Sequence, residues 1–345
     1  MAVHKIANSG TIKEIYKITG GPYGGKRVND KFEELLSELF GAENLKKYGE
    51  RNPSDWLALM NDFEGKKQGY RIVEEKMTNI RLPASFDTLT KKIKSSVIKK
   101  YGEKDIKIRK TEYISLSSNV MKNLFRSVVD CIKEHLKSVL KRPELSKVQA
   151  MLLVGGFADS ALLRAELRNE FSERYRVLVP RNAGIAVLKG AVMFGKNPAK
   201  ITERVVSTTY GANTTKKFDK SIHPKENWAI VDGREICRDI FCSFVKENEI
   251  AKLGESVRRM FSPLHANATK FTFGFYVAVN PDTQFTTDDG VSKIGSVTVL
   301  SPDASRGRDR DLEVTMYFGG TEIVATAVDV TSRNKAQTSL DFFHK

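Results

Sequence analysis

Three short stretches of this 345-residue chain carry residue types that could meet a ligand. The first is Gly20-Gly21-Pro22-Tyr23-Gly24-Gly25, which lies between a strand pattern and a helix pattern. Backbone without Cβ atoms at a helix start can approach a phosphate or a flat ring. Its spacing matches neither a Walker loop nor a dinucleotide fingerprint, so alone it is a weak signal. The second is Glu64 and Lys67, three apart on a helix pattern, which sets a carboxylate beside an ammonium. The bland alternative is a surface ion pair contributing roughly a few tenths of a kcal/mol. The third is Gly155-Gly156-Phe157, where an apolar run (residues 151–154) stops at paired glycines just before a helix. Paired glycines by themselves favour an ordinary strand-to-helix turn.

The elements that must position these residues follow from periodicity. Residues 3–6 and 11–18 read as strands joined by Asn8-Ser9-Gly10. After the glycine-rich loop, Phe32, Leu35, Leu36, Leu39 and Phe40 form a helical stripe, with Asp30 as a candidate cap and Gly41 as the stop. Pro53-Ser54-Asp55 opens the helix that carries Glu64 and Lys67. Residues 79–86 look extended, 87–101 form a basic helix pattern, and 106–116 alternate as a strand. Residues 118–142 give a long amphipathic helix ending at Pro143, with Cys131 expected on its apolar side. The 151–154 strand stopping at Gly155-Gly156, a helix through Leu162, Leu163 and Leu167, and a strand at 176–179 follow. A helix at 183–195 carries Gly184, Gly190 and Gly195, which suggests close packing against another backbone. Beyond Pro198 the pattern turns to strands. Residues 228–237 read as a hairpin turning at Asp232-Gly233, and 271–279 and 312–318 alternate with one strongly apolar face.

Composition narrows the class. Hydrophobic content of 40% and charged content of 29% describe a globular protein. No apolar run nears the roughly 20 residues needed to span a bilayer, and no secretory leader pattern is read, so no membrane partner is expected. Cys131, Cys237 and Cys242 make neither a paired framework nor a CxxC unit, which fits a reducing, cytoplasmic setting. The net charge of +15 is densest over residues 91–110, yet aromatic interleaving is thin and no nucleic-acid motif accompanies it. A solvated basic face is favoured over a nucleic-acid site.

Taken in order, the pieces resemble the 70-kDa heat-shock protein family, in particular its divergent type-12 branch, over nearly the whole chain. Residues 20–25 with the following helix resemble the family's GG-x-x-[FY]-[DG] segment. Phe63-Glu64-Gly65-Lys66-Lys67 resembles the helix that offers a glutamate and a lysine to adenosine. Leu153-Val154-Gly155-Gly156-Phe157 resembles the adenosine loop, and Leu188-Lys189-Gly190-Ala191-Val192 a helix connecting the two halves of the ATPase core. Thr209-Tyr210-Gly211 and residues 321–332 resemble the start and end of its β-sandwich substrate domain.

The resemblance implies an α/β plus β architecture. The second lobe of an actin-like (ribonuclease H-like) ATPase core would occupy residues 1–200, with a helical and strand insertion at about 42–115. A β-sandwich, substrate-binding-like domain would occupy 201–345. It implies ATP or ADP as ligand, with Glu64, Lys67, Gly155, Gly156 and Phe157 as the binding residues. Mg²⁺ is expected only with the complete family core, and no catalytic residue or metal ligand is assigned. Partners implied are unfolded or extended polypeptide, with residues 208–213 among the client-facing connections, and a co-chaperone or a missing lobe. A stress-response chaperone setting follows.

The chain also departs from the family pattern. Neither phosphate loop, including the DxGGGT type, is recognised, so the chain reads as an N-terminally truncated member with weak nucleotide affinity and no ATP hydrolysis alone. Phe157, Ala158 and Asp159 replace small polar residues and an adenine-stacking arginine, and Pro180-Arg181-Asn182 replaces a proline–aspartate pair. No helical lid is recognised after the sandwich. With a partner lobe absent, the 183–195 helix should expose apolar surface. Two other classes compete: a non-enzymatic interaction scaffold using a degenerate sandwich and basic face, and a basic nucleic-acid-associated protein.

Overall fold

The computed structural model describes residues 1–71, 76–90, 101–102, 104–109, 112–318, 320 and 322–340. They group into two compact units, Gly20–Met193 and Met1–Thr19 together with Phe194–Lys345. The amino-terminal hairpin, β1 (Val3–Ile6) and β2 (Ile12–Tyr16), thus belongs with the carboxy-terminal part of the chain and not with residues 20–193. Backbone pairing is the reason: Ile12 pairs in parallel with Ile201, and the buried Glu14 carboxylate accepts the Val205 amide at 2.9 Å.

Within Gly20–Met193, α1 (Gly25–Phe40) starts at Gly25 with Gly24 as its cap, earlier than the Asp30 start expected from the sequence. Val28 is already buried, so the apolar stripe reaches further back than its bulkiest residues suggested. Gly41 ends the helix at φ +86°, a left-handed conformation that only glycine adopts cheaply. The sequence reading had no element for α2 (Ala42–Arg51); α3 (Pro53–Gly69) opens on proline at its first position. Leu59, Phe63 and Lys67 lie buried along one line of α3, and Phe63 stacks on Phe32 at 3.9 Å between ring centroids.

A three-stranded antiparallel sheet follows, built from β3 (Thr78–Arg81), β4 (Ile106–Arg109) and β5 (Tyr113–Leu116) in the order β3-β5-β4. The single strand expected over 106–116 is therefore a hairpin, turned where the Glu112 amide reaches the Arg109 carbonyl at 3.0 Å. Of the basic helix expected at 87–101, the described part is α4 (Asp87–Thr90), and residues 91–100 lie outside the described set. The long helix α5 (Ser118–Leu140) is capped by Ser117, whose hydroxyl accepts the Val120 amide. Cys131 on α5 is exposed, against expectation, because Val128, Val129 and Ile132 carry the buried stripe past it. Strands β6 (Ala150–Leu152) and β7 (Arg176–Leu178) pair in parallel around α6 (Ala161–Phe171). Helix α7 (Ala183–Lys196) presents Ile185, Val187, Leu188, Val192 and Met193 to solvent. The close backbone packing expected at the three glycines is not what the helix shows: a Cβ on Gly184 would meet the Asp159 carboxylate at 2.9 Å and Gly156 Cα only at 4.0 Å, and Gly190 and Gly195 have open space around them.

The second unit is β-rich. β8 (Ile201–Val205) joins β1, β2 and β12 (Ile250–Lys252) in a sheet of order β1-β2-β8-β12. β9 (Thr209–Lys217), β10 (Trp228–Val231), β11 (Arg234–Val245), β14 (Lys270–Ala278) and β15 (Val291–Leu300) form a five-stranded sheet of order β10-β11-β9-β14-β15. β13 (Ser256–Phe261), β16 (Leu312–Tyr317), β17 (Ile323–Asp329) and β18 (Lys335–Leu340) form the other sheet in that order. The two larger sheets share one core, in which Phe273, Phe275, Val297 and Val299 meet Val314, Met316, Ala325 and Ala327. The expected hairpin turn is present, with Asp232 and Gly233 at φ +46° and +75° as a type I′ turn requires. Residues 209–213, expected among client-facing connections, are instead a central strand. Tyr210 and Ala212 pair with both β11 and β14 and are buried. Among the described residues no helix is long and apolar enough to cross a membrane.

Candidate functional site

The site is assembled inside Gly20–Met193 from the start of α1, the last turns of α3, the middle of α5 and the turn between β6 and α6. Lys67 is 5% exposed, and its ammonium donates to three acceptors. These are Glu64 Oε2 at 2.5 Å, Asn29 Oδ1 at 2.8 Å and the Gly25 carbonyl at 3.0 Å. An ammonium has three hydrogens, so Lys67 is fully committed and acts as the organiser of this corner. It ties the start of α1 to the end of α3.

Glu64 faces outward from that knot. Its Oε2 also accepts from Asn29 Nδ2 at 2.8 Å, and Oε1 accepts from Gln68 Nε2 at 3.0 Å. A carboxylate has about four acceptor positions, so about one is left for an incoming N–H or O–H. Burial works against the charged form of Glu64, but the hydrogen bonds from Lys67, Asn29 and Gln68 outweigh it and hold the carboxyl below its usual range. A folded-state value below the unfolded one means stability that is present above about pH 4.3 and lost as the pH falls through the folded value. The melting temperature of this unit should therefore drop on acidification below about pH 4. A Glu64→Gln variant should show a flatter acid limb in a pH series of thermal melts; an unchanged limb would assign the acid sensitivity to other carboxylates.

Opposite stands the turn after β6. Gly155 adopts φ +91°, and its amide donates to the Ala183 carbonyl at 2.8 Å. Gly155 thus shapes the turn, while Gly156 and Phe157 line the space above it. Nothing lies within 4 Å of where a Gly156 Cβ would stand, so that face is open. Phe157 continues a stack, nearly parallel to Phe125 with centroids 6.3 Å apart, while Tyr70 lies 5.7 Å beyond Phe125. Arg164 braces the turn through Asp159 Oδ1 and the Ala158 carbonyl, both at 2.6 Å. Lys133–Glu166 at 3.2 Å and Lys137–Glu170 at 2.7 Å clamp α5 against α6 and hold the turn in place.

Between these walls lies a cavity of about 280 Å³, lined by Gly25, Asn29, Glu64, Lys67, Phe157 and their neighbours. That is close to the lower end of the roughly 300–1,000 Å³ typical of small-molecule sites. A Cβ on Gly25 would come within 3.3 Å of both Lys67 Nζ and the Phe157 ring, so glycine there preserves the space. Of the five residues expected to bind nucleotide, Glu64, Lys67, Gly156 and Phe157 converge on this cavity, and Gly155 sets the turn beneath it. Sequence reasoning missed Lys26, Asn29, Gln68, Phe125, Asp159 and Ser160 on the same walls. Gln68 had a signal, since it lies one turn after Glu64; Asn29 had none short of the tertiary contact. An aromatic plate, a carboxylate with one open acceptor position and bare glycine backbone suit a flat, polar-edged ring with hydroxyls. Among the described residues no three His, Cys, Asp or Glu side chains converge as a metal group would require.

Comparisons with known proteins agree over the full sequence. The chain is 33% identical over 353 residues to Heat shock 70 kDa protein 12A of Mus musculus, covering all of this chain and 52% of that protein. It is 33% identical to the Homo sapiens 12A protein with the same coverage. Identity to Heat shock 70 kDa protein 12B of Homo sapiens is 33% over 356 residues, covering 99% of this chain and 52% of that protein. The chain thus spans about half the length of the curated relatives it matches. No protein-family model matches it.

Proposed function

This chain is a relative of the type-12 branch of the 70-kDa heat-shock family, and on that premise we propose that its first unit binds the adenosine part of ATP or ADP. The second unit, as a β-sandwich, holds extended polypeptide in a chaperone role. In this reading Gly20–Met193 is the body of the second lobe of an actin-like core. The observation that carries the reading is the convergence of Glu64, Lys67, Gly156 and Phe157 on one cavity. Asn29 and Glu64 take the ribose or base edges, Phe157 takes the ring face, and Gly156 lets the ring approach the backbone. Catalysis at a γ-phosphate needs preorganised donors and a metal around the transferred group. No such donor set is assigned around this cavity, so the reading is binding without turnover by these residues.

Calorimetry tests it. Adenosine, ADP and ATP should bind with affinities within about threefold of one another, near millimolar, a binding energy of about 4 kcal/mol. Phosphates that reach solvent add little. Gly156→Val should fold normally, since its Cβ meets open space, yet remove binding by filling the cavity. Micromolar ATP binding would mean a phosphate site exists that this reading lacks. Absence of any nucleoside binding would leave a non-enzymatic interaction scaffold as the better account.

A further inference from the structure

The two larger sheets of the second unit have four edge strands, β10 and β15 in one and β13 and β18 in the other. Three of them are closed against a neighbour. β15 abuts β18: a Cβ on Gly295 would stand 2.7 Å from Leu340, and Asn334, in the turn before β18, donates to the Leu300 carbonyl at 3.1 Å. β13 abuts β11, where Arg259 donates to the Ser243 carbonyl at 3.2 Å and lies over the Phe244 ring. Among the described residues β10 has a strand on one side only, β11.

The register says what β10 offers on its free side. In a two-residue hairpin the pair flanking the turn, Val231 and Arg234, exchanges both backbone hydrogen bonds, and the pairing alternates from there. Ala229 therefore turns its amide and carbonyl toward Ile236, while Ile230 turns both of its groups outward and Trp228 its carbonyl alone, since the Trp228 amide already donates to the Lys225 carbonyl. The same two residues present apolar side chains to solvent, Trp228 at 37% and Ile230 at 59% exposed. β10 is a short edge of four residues, but no lysine, proline or bulge interrupts Trp-Ala-Ile-Val. Its turn is also pinned. The Asp232 carboxylate accepts from Arg308 Nη2 at 2.5 Å, lies 3.2 Å from His265 Nδ1 and takes the Ala266 amide at 3.4 Å. The edge is held ready, which reduces the ordering cost of adding a strand.

We propose that the outer edge of β10 is where the second unit takes an extended polypeptide, by adding it as a further strand. The Trp228 carbonyl and the Ile230 amide and carbonyl supply the hydrogen bonds, and the side chains of the two residues meet apolar residues at alternate positions of the incoming segment. The exposed Lys225 and Arg234 at the two ends of β10 favour acidic residues at the ends of that segment. This rests on the polypeptide-holding part of the proposed function and gives it a location.

The test uses the whole chain and a fluorescein-labelled decapeptide of alternating valine and threonine with glutamates at both ends. Anisotropy titration should show binding, weakened at least tenfold by Ile230→Lys, whose exposed position leaves the fold intact by circular dichroism. The same peptide N-methylated at every residue, which removes the donors of both of its edges, should not bind the unaltered chain, which checks backbone pairing without relying on a protein variant. Equal binding by Ile230→Lys, or by the N-methylated peptide, overturns the β10 edge and leaves polypeptide holding to another surface. No binding of the first peptide to the unaltered chain up to high micromolar overturns both readings.

Discussion

Replacing Arg310 with methionine is expected to cost the second unit roughly 3–5 kcal/mol. Arg310 is 2% exposed and is the largest fully buried side chain described. Its guanidinium donates to the Gly307 carbonyl at 2.7 Å, Ser301 Oγ at 3.0 Å, and the Ala266 and Ala268 carbonyls at 3.0 and 2.8 Å. Longer bonds reach the Ser301 and Asp303 carbonyls, and the group lies 5.2 Å from the Phe271 ring centroid. One side chain thus joins the connection before β14 to the connection after β15. Methionine fills much of the volume but leaves several carbonyls without donors in a place water enters poorly. That loss corresponds to a fall in melting temperature of about 10–15 °C for a unit of this size. The two tryptophans report the units separately, Trp56 in the first and Trp228 in the second. In a Trp56→Phe background, the Trp228 transition should move to lower denaturant. Arg310→Lys should recover only part of the loss, because one ammonium cannot reach both connections. A methionine variant within about 1 kcal/mol of the parent would mean that water replaces these bonds easily.

Lys67→Met should have the next largest effect and should separate folding from ligand binding. The substitution removes all three hydrogen bonds of the organising ammonium and strands the Glu64 charge. Removing one partner of a buried pair costs about 3–5 kcal/mol, and Glu64, with about a third of its side chain exposed, recovers part of that through water. A cost of roughly 2–3 kcal/mol is expected, read from Trp56 fluorescence in a Trp228→Phe background. Adding Glu64→Gln should recover stability by removing the stranded charge, yet nucleoside binding should be lost in the double variant because the outward carboxylate is gone. If the double variant binds nucleoside as the parent does, Glu64 is not a ligand contact and the site must be redrawn around Phe157 and Asn29.

Much of this was legible in the sequence, for reasons that can be named. Helices α1, α3 and α5 have apolar stripes at the 3.6-residue period, and burial follows that stripe at Phe32, Phe63 and Phe125. The Asp232-Gly233 turn was legible because a type I′ turn needs two positive φ values, which few residue pairs adopt cheaply. Glu64, Lys67, Gly156 and Phe157 were legible only together, as an ordered set of segments each weak alone. What tertiary structure alone decided concerns where segments meet. Residues 1–19 follow β8 because unpaired strand edges seek partners wherever the chain brings them, and nothing in residues 3–16 names that partner. Residues 106–116 break into a hairpin because β5 must reach both β3 and β4. Lys67 reads as a ligand contact in sequence, and only the approach of α1 shows its three hydrogens already taken by Gly25, Asn29 and Glu64. Periodicity records which face of an element is buried, because burial of that face is what selected its residues. It does not record which other element covers that face, since apolar surface is satisfied by any partner of fitting shape.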